Sequence, residues 1–187
     1  MATSTPYHHG DLPPALLSAA GKILEKEGVG GLSLREIARR AGVSHNAPYR
    51  HFPDREALLV ALATEGFASL RERLESQAGQ ESAAAYVRFA LDHPQRFRLM
   101  FGGQVAFDRY PELREEANAA YAGLEKQFSQ YGAEAGIAAA AAWALVHGLS
   151  HLLLDGHFVE GRKPAVDEFV RRVIGAVRFS VGSQRSA

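Results

Sequence analysis

Apolar residues recur every three or four positions along most of this 187-residue chain. That spacing places them on one side of an α-helix, as Leu12, Leu16, Ile23 and Leu24 illustrate near the start. No stretch of useful length alternates apolar and polar residues, as a half-buried β-strand would require. With 47% hydrophobic and 22% charged residues, the chain can bury a core. The pattern predicts an all-α fold of about nine helices.

The chain has no cysteine and equal numbers of basic and acidic residues, 21 of each. Without cysteine there is no disulfide or thiolate zinc site, and no long apolar segment follows a charged start, so we expect a reducing cytoplasm. The longest small-apolar run, residues 135–149, is rich in alanine and interrupted by Trp143 and His147, which argues against a membrane span. Because the net charge is zero, any nucleic-acid binding depends on a local arrangement.

The stretch LSLREIARRAGVSHNAPYRHF carries signals for two short helices joined by a tight turn. Ser33 and Glu36 form a capping box, and Gly42 is placed to end the first of these helices. Ser44 is the expected cap of the next helix, which runs to about His51. At about 1.5 Å per residue this helix is about 12 Å long, comparable to the width of the major groove. The pattern predicts a helix-turn-helix.

The polar cluster GVSHNAPYRHF allows three interpretations. A zinc site is disfavoured because His45 and His51 point to different sides of a helix and no cysteine completes a ligand set. Catalysis is disfavoured because no nucleophile is paired with a histidine and a third orienting group. A DNA-reading surface has the groups it needs, with imidazole and amide for bases and hydroxyl and guanidinium for phosphates. We therefore predict base contacts by His45 and Asn46.

The longer stretch LSLREIARRAGVSHNAPYRHFPDREALL resembles the helix-turn-helix of TetR/AcrR-family transcriptional regulators. In that family Tyr-x-His-Phe closes the recognition helix and a basic residue opens the next helix, and Tyr49, His51, Phe52 and Arg55 match these positions. The resemblance implies that Tyr49 and Arg55 anchor phosphates. The full set of predicted DNA contacts is Ser33, Arg35, Ser44, His45, Asn46, Tyr49, Arg50, His51 and Arg55.

Two residues depart from the family pattern. Pro48 stands where an aliphatic residue is usual, and we expect it to remove one early helical hydrogen bond and to bias Ala47 away from the helical region. Arg55 replaces a commoner lysine, which keeps the charge and adds a planar fork suited to phosphate.

Two further charged features are less specific. Arg39 and Arg40 are interpreted as solubilising charge. The N-terminal YHHGD is interpreted as an unstructured tail. The alternative, which assigns it a specific function, is an arm that reaches into the minor groove of DNA.

The rest of the chain predicts a long helix from Asp54, followed by helices at about 82–92, 94–101, 111–130, 134–157 and 165–181. We expect a DNA-binding domain over residues 1–58 and an effector-binding and dimerisation domain over residues 59–187. Small residues recur every four positions near the predicted helix 134–157, at Gly132, Gly136, Ala140, Ala144 and Gly148. Such a ridge lets another helix approach closely. It predicts a homodimer through helices 134–157 and 165–181, with packing inside the subunit as the rival.

The stretch WALVHGLSHLLLDG resembles a regulatory domain of the WHG type, with Trp143, His147 and Gly148 at the three named positions. Large apolar and aromatic residues with a few polar groups also describe a ligand pocket, although each taken singly is first a core residue. We predict a small hydrophobic or aromatic effector bound by Phe97, Met100, Phe101, Phe107, Tyr121, Leu124, Phe128, Trp143, His147 and His151.

These features together predict a TetR-like repressor rather than an enzyme. It would bind a palindromic double-stranded operator as a homodimer and be released by the effector, with no metal, cofactor or membrane involved. One alternative is a helical metal-dependent hydrolase that uses His147, His151 and Asp155. Another is a helical module in which residues 32–52 bind a partner protein. Such a module would not show a steep, salt-dependent affinity for DNA.

Overall fold

The computed structural model describes residues 12–158 and 163–177. Within these ranges every regular element is helical, so the all-α prediction is confirmed. The eight α-helices there are α1 (Leu12–Glu27), α2 (Leu34–Ala41), α3 (Arg55–Glu75), α4 (Gly79–Asp92), α5 (Pro94–Phe101), α6 (Pro111–Lys126), α7 (Ala135–Leu154) and α8 (Lys163–Ala176). The YHHGD segment and the end of the predicted last helix, to residue 181, lie outside the described residues.

The chain divides into two compact units. The first unit combines the residues up to 65 with residues 95–113, and the second unit combines residues 66–94 with those from 114 onward. Helix α3 contributes residues to both units. The functional boundary expected after residue 58 stays a prediction.

The first unit buries the apolar side of α1 that the sequence pattern predicts. Leu16, Ile23 and Leu24 are fully buried, and α1 packs against α2. At the start of α2, the Ser33 hydroxyl accepts the Glu36 backbone N–H at 3.2 Å, as expected of a capping residue. The Ser33 cap therefore marks the start of α2.

Helix α5 is tied to α1 within the first unit. Its first turn donates the backbone N–H groups of Gln95 and Arg96 to the Glu25 carboxylate, each at 3.1 Å. A carboxylate suits this place because the first N–H groups of a helix lack partners in the helix. The Arg96 guanidinium donates to Glu65 at 2.9 Å and passes so close to Gly21 that a methyl group there would lie 2.7 Å from Nη2.

The second unit is built around α4, which packs against both α7 and α8. Its buried side includes Tyr86 and Phe89. Ion pairs join α4 to α8, with 2.8 Å between Arg88 and Asp167. The described part of α8 ends at Ala176, five residues short of the predicted end.

The small-residue ridge begins later than the sequence suggests. Gly132 has φ 58° and ψ −124°, so it lies in a kinked 3-10 segment ahead of α7 and is not part of that helix. The inclusion of Gly132 in the ridge is wrong, because this backbone conformation breaks the helical ladder. Gly136 is partly covered, and its carbonyl accepts the Tyr121 hydroxyl at 3.2 Å. The exposed part of the ridge is Ala140, Ala144 and Gly148.

Among the described residues, one segment, Ser129–Leu154, is long and apolar enough to cross a membrane when only length and composition are considered. Part of this segment packs against α4, and it contains the polar contacts of Trp143 and His147 described below. A helix that packs inside a protein passes the same test.

Candidate functional site

The recognition segment, residues 44–52, is not the α-helix that its sequence predicts. Residues 45 and 46 form a turn, residue 47 lies in a bend, and Pro48–Arg50 form a 3-10 helix. The α-helix prediction is wrong because the first intrahelical bond would need an N–H at position 48, which proline lacks. The expected bias on Ala47 is also wrong, since its φ of −60° and ψ of −43° are helical. Pro48 therefore prevents the α-helix through its missing backbone N–H, and not by changing the conformation of Ala47.

All of the predicted DNA contacts lie in the first unit and are exposed. Pro48 and Phe52, which belong to the recognition segment, are buried. The 3-10 helix packs on α2, so the segment has a buried apolar side and an exposed polar side. The exposed residues are Ser33, Arg35, Ser44, His45, Asn46, Tyr49, Arg50, His51 and Arg55. Exposed polar groups on a fixed backbone are what groove recognition needs.

Arg55 also supports the backbone next to the recognition segment. Its Nε donates to the Leu32 carbonyl at 3.0 Å and its Nη2 to the Val29 carbonyl at 2.6 Å. A guanidinium has five N–H groups, so a phosphate contact can coexist with these two bonds. Arg55 thus holds the start of α3 against the loop that precedes α2.

Arg39 and Arg40 form ion pairs in the structure. Arg39 lies 2.6 Å and Arg40 2.7 Å from the Glu36 carboxylate, and Arg40 also pairs with Glu27. Hydrogen bonds from Arg39 and Arg40 lower the pKa of Glu36 to about 2. The exposed cations on this part of α2 are therefore partly neutralised by neighbouring acids.

The second unit holds a hydrogen-bonded aromatic cluster, which we call the Trp–Tyr–His cluster: Tyr86, Trp143, His147 and His151. The Trp143 indole N–H donates to the Tyr86 hydroxyl at 3.1 Å, and the same hydroxyl lies 2.9 Å from His147 Nδ1. The His147 and His151 ring centroids are 4.7 Å apart. Tyr121 adds a fifth ring, 5.8 Å from that of Trp143. Four predicted effector-binding residues are thereby brought together.

Tyr86 is absent from the predicted site, although it makes the central contacts of this cluster. It sits on the apolar side of α4, where its spacing is that of a core residue. No local sequence signal distinguishes it from such a residue, because its partners are 57 and 61 positions away.

The other predicted effector-binding residues are distributed between the units. Phe97, Met100, Phe101 and Phe107 belong to the first unit, where Phe97 and Met100 are fully buried. Leu124 and Phe128 belong to the second unit, together with Tyr121, Trp143, His147 and His151. Of these, Tyr121, Trp143, His147 and His151 are joined by direct ring contacts.

Burial shifts the pKa values of two groups in the Trp–Tyr–His cluster. It raises the pKa of the Tyr86 hydroxyl well above its usual range, so this group stays protonated. Burial also lowers the pKa of His147, and the neighbouring His151 lowers it further. His147 is therefore neutral near pH 7 and can serve as a hydrogen-bonding group without a charge.

Two family profiles match the chain. Residues 16–62 match the bacterial regulatory proteins of the tetR family, and residues 80–177, more than half of the chain, match the tetracyclin repressor-like C-terminal domain. The chain belongs to the TetR family. It is thus a DNA-binding transcriptional regulator, which confirms the prediction made from its helix-turn-helix. Both TetR-family domains are those of regulators, so the hydrolase alternative has no support.

Two individual proteins are similar to this chain in sequence. A protein of unknown function from Rhodococcus sp. RHA1 is 36% identical with a TM-score of 0.76, covering 92% of this chain and 94% of that one. The uncharacterised HTH-type transcriptional regulator YobS of Bacillus subtilis (strain 168) is 31% identical over 87 residues, 42% of this chain. The match spans 46% of YobS, less than half its length.

A third likeness concerns the fold alone. FadR from Bacillus subtilis, solved in complex with stearoyl-CoA, is 15% identical and has a TM-score of 0.65. The match covers 88% of this chain and 98% of FadR.

Lowering the pH from about 7.5 to about 5.5 should reduce stability through His147. Its folded-state pKa is below the ordinary 6.5, so the unfolded chain takes up a proton first and unfolding becomes more favourable as the pH falls below that value. Urea unfolding measures the effect. The drop should be smaller in His147→Asn, whereas His157→Asn, at an exposed histidine outside the cluster, should behave like the wild type. An equal drop in both variants would contradict this assignment.

Proposed function

We propose that the protein is a cytoplasmic repressor that binds a palindromic operator as a homodimer and leaves it when a small hydrophobic or aromatic effector binds. The observation that carries the proposal is the recognition segment, whose polar side is exposed while its apolar side is anchored. The exposed apolar side of α7 supports the dimer, and the Trp–Tyr–His cluster supports the effector site.

In this proposal, His45 and Asn46 read bases and the remaining exposed polar groups anchor phosphates. Imidazole and amide groups can form hydrogen bonds with base edges, whereas the Tyr49 hydroxyl and the Arg35 and Arg50 guanidinium groups suit phosphate oxygens. Tyr49 is 49% exposed although it is aromatic. Its exposure is explained if the ring lies against the DNA backbone.

Selection of bound duplexes from a randomised DNA pool tests the operator proposal, and we expect an enriched inverted repeat. Tyr49→Ala should weaken binding to that repeat by about tenfold, because a positioning contact to the backbone is lost. Tyr131→Ala, at a tyrosine of the second unit, is the matched control. Folded wild-type protein that enriches no duplex, or that shows no salt-dependent DNA affinity, would favour a protein partner instead.

The dimer proposal depends on the α7 stripe, defined as Ile137, Ala140, Ala141, Ala144, Gly148 and Leu152. At about 100° per residue these positions lie on one side of the helix. All are exposed, and Ile137 and Leu152 are 66% and 42% exposed despite their apolar side chains. Apart from the two neighbouring residues and the backbone of its own helix, no atom of the described residues lies within 4 Å of the place where a Cβ on Gly148 would be. A two-fold axis would cover the stripe with its own copy, and the small central residues would allow close approach.

Ala144→Glu should convert the dimer to a monomer at micromolar concentration, because two carboxylates would be buried next to each other in the interface. Light scattering coupled to size-exclusion chromatography measures the mass. Ala119→Glu is the matched control, since Ala119 is an exposed alanine on α6. A monomeric wild type would refute the homodimer, and a dimeric Ala144→Glu variant would place its interface elsewhere.

The effector proposal is supported by the composition and exposure of the Trp–Tyr–His cluster. Its rings offer apolar area, and its imidazole and hydroxyl groups offer a few fixed hydrogen bonds, as in ligand sites. Trp143 is 37% exposed, so part of its ring is accessible. FadR, which has the same fold, was solved with an acyl-CoA ligand. An effector that favours one arrangement of the recognition segments would lower operator affinity.

Trp143 is the only tryptophan of the chain, so its fluorescence reports ligand binding to the cluster. Screening small aromatic and aliphatic compounds should find one that changes this emission. Its affinity should be about tenfold lower for the operator-bound protein, because the coupling is reciprocal. Equal affinities with and without operator would rule out regulation by that compound.

A further inference from the structure

We propose that Pro48 determines which operator sequence this protein prefers, although its side chain is buried. The inference rests on the proposed operator binding, and it concerns how the recognition segment presents its side chains. Pro48 holds the segment out of an α-helix and so changes which exposed residues face the groove together.

The hydrogen bonds of the segment show where the α-helical ladder fails. In an α-helix capped by Ser44, the N–H of residue 48 would bond to the Ser44 carbonyl. That carbonyl instead accepts the Ala47 N–H at 3.0 Å, and the Ala47 carbonyl accepts the Arg50 N–H at 3.3 Å. Both bonds span three residues. Within residues 44–52, the one bond between residues four positions apart, as in an α-helix, joins the Phe52 N–H to the Pro48 carbonyl at 2.8 Å.

Tighter winding alters the relative directions of the side chains. Four α-helical steps, as from Asn46 to Arg50, would separate two side chains by about 40° around the axis. The 3-10 helix covers only Pro48–Arg50, but bonds between residues three positions apart run from Ser44 to Arg50; four steps wound at that spacing would separate the side chains by about 120° and add about 2 Å of rise. The angle around the axis between the pair His45 and Asn46 and the pair Tyr49 and Arg50 therefore differs from the angle that an α-helix would give.

The position of Pro48 separates this effect from direct contact. Pro48 is buried, whereas Tyr49, Arg50 and His51 on the same segment are exposed. The 3-10 helix packs on α2, which fixes its orientation in the first unit. Pro48 thus acts on base preference through the backbone that carries its neighbours.

The test compares operators selected from a randomised duplex pool by the wild type, Pro48→Leu and Pro48→Ala. Both variants restore the missing N–H, and leucine keeps an apolar side chain in the buried site. We expect each variant to select an inverted repeat whose bases differ from those selected by the wild type. Each protein should prefer its own repeat by about tenfold, with similar affinity for non-specific duplex. Pro53→Ala, at an exposed proline outside these hydrogen bonds, should select the wild-type repeat.

A second readout examines the backbone without DNA. In folded Pro48→Leu, nuclear Overhauser contacts should appear between Hα of residue 44 and the amide proton of residue 48, as in an α-helix. Their absence would overturn the inference, because Pro48 would not be what prevents the α-helix. The same repeat selected by the wild type and both variants would also overturn it, with operator binding intact. A wild type that selects no repeat would overturn the proposed function itself.

Discussion

The packing of α7 on α4 is the interaction on which the second unit depends. Helix α7 is apolar on more than one side, and such a helix needs more than one partner to be kept from water. Helix α4 covers one side and places Tyr86 under Trp143 and His147. The α7 stripe remains exposed. The same helix thus carries residues of the polar cluster and the surface proposed for the dimer. A displacement of α7 would therefore move both.

Local rules explain why much of the fold could be predicted from the sequence. The spacing of Leu16, Ile23 and Leu24 depends only on helical periodicity, and the structure buries all three. The Ser33 cap likewise depends on residues within one turn, and it is present as expected. The exposure of the predicted DNA contacts follows from the same local pattern, since the segment has few apolar residues, of which Pro48 and Phe52 are buried.

Contacts between distant residues explain what the sequence did not reveal. Glu25 binds the first turn of α5 about seventy residues later, and Tyr86 bonds to residues of α7 at a similar separation. Neither pairing leaves a periodic or capping signal. Pro48 is a different case, because its missing donor was visible in the sequence. The error lay in expecting one lost bond to leave an α-helix intact, although it was the bond with which that helix would begin.

The attachment of α5 also bears on how an effector could act. Phe97 and Met100 are buried in a helix whose first turn is held by α1, so a change at these residues would act inside the first unit. A change at Trp143 would begin in the second unit. Helix α3 is continuous through residues 65 and 66, where the first unit gives way to the second. Within the first unit, Arg55 fixes the start of α3 to the loop before α2.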